Sequence, residues 1–192
     1  MKFCSDCGGA LESRIPHGDH AMRHVCTQCG AIHYNNPKVI VGCIPQTADG
    51  RVLMCKRAIQ PRLGLWTFPA GFLELGETAA HGAKREALEE AGAEVEIDDL
   101  LAVIDVPYVS QLYMIYRGRL TTERFHTTHE SSEVVLMRED EIPWTHIAFP
   151  TIWHSLKFFF EDRTAGKRGI HTLDLAYKPR APLLAEVSGS RE

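Results

Sequence analysis

Apolar positions change their pattern near residue 35, and that change organises the chain. Before His33 the large apolar residues are scattered among glycines, histidines and charges, too few to fold around a core of their own. A segment of that kind needs a staple. From Lys38 to Gln46 the chain turns apolar and β-branched, Asp49-Gly50 supplies a turn signal, and Arg51 to Arg57 returns as a second strand. Ala58 to Phe68, with Pro61 and Gly64, reads as a loop leading to a short extended piece and the glycine-rich run Gly71–Gly76. Thr78 to Ala91 is rich in Ala, Glu and Leu and closed by Gly92, which predicts a helix.

Strands are expected at Glu94–Ile97, Leu100–Pro107, Gln111–Leu120 and Glu133–Met137, with a polar loop from Thr121 to Ser132. Ile152, Leu156, Phe159 and Phe160 carry the spacing of an amphipathic helix over Ile147–Glu161, packed on a sheet. Beyond Asp162 the pattern is irregular, although Ile170–Tyr177 reads as one further strand, for this sheet or a partner chain. The pattern therefore divides the chain into a small segment 1–33, a main domain 34–162 and a tail 163–192.

Cysteine usage explains the first segment. Of six cysteines, four form Cys4-x-x-Cys7 and Cys26-x-x-Cys29, two pairs separated by 18 residues, which is the spacing of a zinc site built from two knuckles. Gly8-Gly9 and Gly30 follow the pairs and suit tight turns. Four thiolates fill a tetrahedral shell, so this zinc is expected to be structural. A formal net charge of -4 argues against a dedicated nucleic-acid or anionic-membrane surface. No stretch reaches the roughly 20 apolar residues of a membrane span, and Met1-Lys2-Phe3-Cys4 is unlike a signal segment, so a cytoplasmic location is expected.

The chemistry concentrates in Gly71-x5-Glu77-x7-Arg85-Glu86-Ala87-Leu88-Glu89-Glu90-Ala91-Gly92-Ala93. At about 100° per residue, Glu86, Glu89 and Glu90 project within one arc about 100° wide. Like charges at such spacing repel. A solvated acidic face is the plain account of Glu89-Glu90 alone. A hard divalent cation that takes oxygen ligands and binds jointly with substrate phosphates accounts better for three carboxylates behind a glycine loop.

This run resembles the Nudix box, with every fixed position present over 23 residues. The resemblance implies an α+β Nudix fold, a mixed β-sheet sandwiched between helices, behind the N-terminal four-cysteine zinc ribbon. It implies magnesium or manganese held by Glu86, Glu90, Glu89 and the Ala70 carbonyl, with Glu89 also assisting the base. Glu77 and Arg85 look like the family's structural pair, Arg85 orienting the carboxylates. Glu133 looks like the loop carboxylate that reaches the metals, with Glu130 as its competitor. Water activated by the metals would then attack a pyrophosphate phosphorus.

A zinc ribbon fused to a Nudix domain is similar to two groups, the NADH pyrophosphatases and a set that includes plant FAD and ADP-ribose pyrophosphatases. Asn36-Pro37-Lys38, Val41-Gly42-Cys43, Cys55-Lys56-Arg57, Gly64-Leu65-Trp66-Thr67, Pro69-Ala70-Gly71 and Asp140-Glu141-Ile142-Pro143 favour the second. The Ser-Gln-Pro-Trp-Pro-Phe-Pro run of the NADH group has no counterpart here. The resemblance implies FAD or ADP-ribose as substrate, with NADH as the alternative and a non-catalytic nucleotide sensor as the rival from another class. Arg57, Trp66, Phe72 and Tyr108 are the expected contacts to the groups flanking the pyrophosphate. A homodimer is the family's usual assembly, with an exposed strand as its interface.

The ribbon yields the first prediction. Metal analysis of protein purified without chelator should find a single zinc per chain, and Cys26→Ser should destabilise the ribbon, because metal binding there is folding energy. Zinc-free protein with four reactive ribbon thiols would overturn it.

Overall fold

The computed structural model describes residues 1–176. They fall into two units that divide between Pro37 and Lys38. The first holds a three-stranded antiparallel sheet, β1 (Leu11–Arg14), β2 (Arg23–Cys26) and β3 (Ile32–His33). Its staple is the four cysteines, whose sulfurs all lie within 4.8 Å of one another. Cys4 Sγ is 3.8 Å from Cys29 Sγ and Cys7 Sγ is 3.4 Å from Cys26 Sγ. An ion with Zn–S bonds of about 2.3 Å at the centre of a tetrahedron sets its ligands about 3.8 Å apart, so the donor set fits zinc. Gly8 and Gly30 sit one residue past each pair at φ 75° and 74°, left-handed backbone that lets each knuckle turn back. The Asp6 N–H donates to Cys4 Sγ at 3.4 Å and the Gln28 N–H to Cys26 Sγ at 3.4 Å.

The second unit is built on β4 (Lys38–Gln46), β5 (Val52–Arg57), β6 (Trp66–Thr67), β7 (Ala70–Phe72), β8 (Val95–Val106), β9 (Gln111–Leu120), β10 (Ser131–Met137) and β11 (His171–Asp174). The main sheet runs β10-β5-β4-β9-β8-β11, with β6 on β5 and β7 on β4. The β4–β9 and β8–β11 pairs are parallel and the others antiparallel, so the sheet is mixed. Helix α1 (Ala79–Ala91) and helix α2 (Pro150–Ala165) cover its two faces.

The apolar runs of β4 and β5 follow from this double cover. Side chains alternate across a strand, so both faces must be apolar when both are buried. Cys43, Leu53 and Cys55 meet Ala83, Ala87, Ala91 and Ala93 of the α1 region, and alanines there let the helix lie close. Ile44, Val52 and Met54 point the other way, into a cluster with Ile152, Leu156, Phe159 and Phe160 of α2. Thr78 caps α1, its hydroxyl accepting the His81 N–H at 3.2 Å, and Gly92 ends it in left-handed backbone.

Two boundaries depart from the sequence reading. Glu94–Ile97 and Leu100–Pro107 are one strand, β8, because two register shifts, between Ile97 and Leu100 and between Leu100 and Ala102, absorb the polar Asp98-Asp99 without ending the pairing. The second helix starts at Pro150, which lacks the N–H that an interior helix position needs, and runs on to Ala165 before Gly166 stops it. The tail strand covers His171–Asp174, and Tyr177 lies outside the described residues. Among the described residues no helix is long and apolar enough to cross a membrane.

Arg117, on β9 and 3% exposed, ties these parts together. It donates to Asp162 on α2, to Asp99 at 3.3 Å and to the Gly169 carbonyl at 3.2 Å, while His171 Nε2 lies 3.0 Å from Asp162 Oδ1. Burial pushes the Asp162 carboxyl up, and the His171 bond and the charges of His171 and Arg117 outweigh it, holding the carboxyl below the ordinary range. A depressed carboxylate contributes stability that is complete above its unfolded pKa and is lost as pH falls through its folded pKa. Asp162→Asn should therefore cost about 3 kcal/mol at neutral pH. In urea unfolding the gap from wild type should close toward about pH 3; a gap independent of pH would refute the assignment.

Candidate active site

Strand β7 delivers Gly71 against α1, where a Cβ at Gly71 would overlap the Glu86 carboxylate. The glycine is there for space, with no left-handed backbone required. Above it the carboxylates are arranged by one guanidinium. Arg85 donates through Nε and Nη2 to both oxygens of Glu77, at 3.1 and 2.8 Å, and through Nη2 to the Phe72 carbonyl at 2.9 Å. Its Nη1 bonds Glu86 Oε1 and Glu89 Oε2, each at 2.8 Å. The Arg85 bond holds the Glu77 carboxyl down at about 2. Glu77 also accepts the Glu74 N–H at 2.8 Å, closing the glycine-rich loop onto the helix.

Glu86 and Glu90, one turn apart, are buried. Burial pushes both carboxyls up, and for Glu86 the Arg85 bond works against it. Glu90 is taken to about 8 by burial and then by the Glu86 charge, with the Ala70 N–H at 3.2 Å opposing the rise. Two buried carboxylates pushed up by burial and by neighbouring negative charge, Glu89 and Glu130 on Glu86 and Glu86 and Glu130 on Glu90, form a hard-oxygen site that a divalent cation would neutralise. Glu86, Glu89 and Glu90 do not converge as tightly as the cysteines: among the described residues the cysteines are the only group of three or more donors within 4.8 Å of one another. Arg85 draws Glu89 outward, and its side chain is 56% exposed.

The two loop carboxylates part company. A register shift between Ser131 and Glu133 sets Glu133 opposite Lys56, whose Nζ donates to it at 2.7 Å. Glu130 instead adds its negative charge to both Glu86 and Glu90, raising each. Its backbone is held by the Ala58 N–H, which donates to the Glu130 carbonyl at 2.7 Å.

A cavity of about 390 Å³ opens beside this cluster, with Ala70 and Gly71 in its wall. Arg57, Phe72 and Tyr108 line it; Trp66 does not. Alternation along β6 turns Thr67 into the cavity and packs Trp66 against the core cluster, with Lys56 Nζ 5.6 Å from its ring. Gln111, Tyr113, Phe149 and Thr151 also line the wall, and the sequence reading does not anticipate them. Their facing depends on the pairing of β4 with β9 and on where α2 begins, which no local spacing encodes. A broader hollow of about 860 Å³ around Thr47, Asp140 and Arg163 contains no residue of the box.

A doubly covered mixed sheet with this carboxylate helix above a glycine strand is the architecture of a Nudix domain. The NUDIX domain family model matches residues 36–157, and the Nudix N-terminal zinc-ribbon model matches residues 2–35. The chain belongs to the Nudix family. A crystal structure of a NUDIX hydrolase from Nitrosomonas europaea is 51% identical, with a TM-score of 0.88 over 91% of this chain and 99% of that one. A protein of Stutzerimonas stutzeri named NAD-capped RNA hydrolase NudC is 27% identical over 76% of this chain and 48% of its own length. The protein of the same name from Vibrio vulnificus is 34% identical over 50% of this chain and 34% of its own. The chain thus spans half or less of these two curated relatives.

Gly71→Ala separates site geometry from folding. The far end of the Glu86 side chain can swing aside, so the melting temperature should change little while titration calorimetry shows divalent-ion affinity falling by roughly tenfold. Unchanged affinity would mean that the Glu86 carboxylate takes no part in metal binding.

Proposed function

We propose that this protein hydrolyses the pyrophosphate bond of nucleotide-linked diphosphates, with FAD and ADP-ribose as preferred substrates. The observation that carries the reading is the buried Glu86–Glu90 pair, packed against the Ala70–Gly71 strand that also walls the cavity, since burying two like charges is costly unless a cation compensates them. Magnesium or manganese, held by Glu86, Glu90, Glu89 and the Ala70 carbonyl, would supply charge neutralisation on the pyrophosphate and acidify the attacking water.

The chain's own residues do the positioning. Arg85, fixed by Glu77, holds Glu86 and Glu89 in place. Glu89, solvent-facing, is suited to accept the proton released by water, and the burial of Glu90 keeps it from competing for solvent. Of the two loop carboxylates, Glu130 is the one assigned to the metal site, because Glu133 is engaged by Lys56. Arg57 lines the cavity and exerts its positive charge on Glu90, which places it to meet substrate phosphate as well as the flanking group. Water addition to FAD gives AMP and FMN; to ADP-ribose, AMP and ribose 5-phosphate. The acting form is taken to be a cytoplasmic homodimer with zinc in its ribbon.

A second reading, cleavage of NADH or an NAD cap, is favoured by the names of the curated relatives. Catalytic efficiencies measured side by side on FAD, ADP-ribose, NADH and a nucleoside triphosphate, with magnesium and then manganese, decide between them. NADH or a triphosphate in the lead refutes the preference, and no cleavage of any of them refutes the activity. On the best substrate, Glu90→Gln should remain folded and lose on the order of a thousandfold in rate, about 4 kcal/mol of barrier.

A further inference from the structure

The cavity contains a polar group that the fold leaves unpaired. Thr151, 3% exposed, lies in the cavity wall, and its Oγ1 is buried without a hydrogen bond. The Tyr113 hydroxyl is close enough to Thr151 for a side-chain contact that works against the rise of the Tyr113 pKa, but it donates to Gln111 Oε1 at 3.2 Å, and Thr151 Oγ1 makes no bond of hydrogen-bonding geometry. Thr151 is also the second residue of α2, a 16-residue helix whose N-terminus has no side-chain cap. The first-turn N–H groups of Thr151 and Ile152 have no acceptor within the helix, and the dipole adds partial positive charge there. A buried unpaired hydroxyl is costly to the folded chain, which makes it a candidate for pairing with a ligand.

The rest of the wall specifies the ligand. Phe149, Tyr108 and Tyr113 offer aromatic surface, and the Arg57 guanidinium carbon lies 5.3 Å from the Phe149 ring centroid. Besides Arg57 and the exposed Tyr108, the polar side chains of the wall are Gln111, Tyr113 and Thr151, because the Thr67 hydroxyl is already spent on the Phe68 carbonyl at 2.8 Å. A polyhydroxylated sugar would go unsatisfied here, whereas a flat heteroaromatic base needs one or two edge contacts and apolar faces. Thr and Gln side chains each both donate and accept, matching the adjacent amino donor and ring-nitrogen acceptor on an adenine edge. At about 390 Å³ the cavity lies near the lower limit for ligand pockets, room for one nucleoside and not for both halves of a dinucleotide.

We propose that this cavity seats the adenine of the nucleoside half adjoining the pyrophosphate, and that the Thr151 hydroxyl reads the edge of the base. The proposal rests on the pyrophosphatase reading for its substrate class. The half beyond the second phosphate stays outside the cavity, so FAD, ADP-ribose and NADH present the same adenosine to it.

Calorimetric binding of AMP, CMP and ribose 5-phosphate to wild type and to the near-isosteric Thr151→Val tests this without turnover. AMP should bind wild type more tightly than the other two. Thr151→Val should weaken AMP about tenfold and leave ribose 5-phosphate unchanged. Its melting temperature should rise, since the unpaired hydroxyl is gone. Thr151→Ala repeats the binding measurement without the branched methyl, and Thr151→Ser should retain AMP affinity. An unchanged AMP affinity in Thr151→Val and Thr151→Ala overturns the proposal, as does an equal loss for ribose 5-phosphate, which would assign the hydroxyl to the sugar phosphate. A lower melting temperature would make the hydroxyl a structural partner of Tyr113. If wild type binds AMP in this pattern yet cleaves no dinucleotide, the activity reading fails and the adenine site stands.

Discussion

One guanidinium holds the acidic face of α1 together. Helix α1 presents Glu86 and Glu89 on the same side as Glu90, and the chain must fold this acidic arc against a sheet. Arg85 makes it tolerable by engaging four groups at once: Glu77, the Phe72 carbonyl, Glu86 and Glu89. Such forked, charge-assisted bonds suit arginine and have no lysine equivalent. Through Glu77 the same side chain fixes the loop that follows β7, so the glycine strand and the acidic helix keep one geometry. Glu90 is outside this arrangement, buried and met by a single N–H, and it is there that the charge of a cation is most needed.

Sheet and helices serve this arrangement from both sides. Small residues on one face, Ala83, Ala87 and Ala91, bring α1 close to β4 and β5, and large ones on the other bind α2. The asymmetry has a purpose. A close helix aligns carboxylates over Gly71, while a thick apolar layer on the far side leaves room at its edge for a cavity between α2, β7 and the turn after β8.

What could be read in advance was what lies close in sequence. The box is a spacing within one helix and its preceding loop, so periodicity placed Glu86, Glu89 and Glu90 on one helical face and the resemblance supplied Glu77 and Arg85, while the cysteine pairs declared their cluster by spacing. Residues whose facing depends on distant pairing could not. Thr151 and Gln111 enter the cavity through the start of α2 and the register of β9; Trp66 leaves it because Thr67 occupies the inward position of β6. Glu133 was turned toward Lys56 by a one-residue irregularity after Ser131 that composition does not betray. Arg117 and Asp162 were equally hidden, 45 residues apart and joined only by the packing of α2 on the sheet.

Strand β11 reaches further than its four residues suggest. It lies along β8, the following Leu175 N–H bonds the Asp105 carbonyl at 2.8 Å, and the Leu175 side chain forms part of the cavity wall. The family match stops at residue 157, so Leu175 alone of the lining residues belongs to sequence that the shared domain does not prescribe. A substitution at Leu175 can therefore reshape the chamber without touching a carboxylate, which gives a segment outside the shared domain a hand on the contour of the wall.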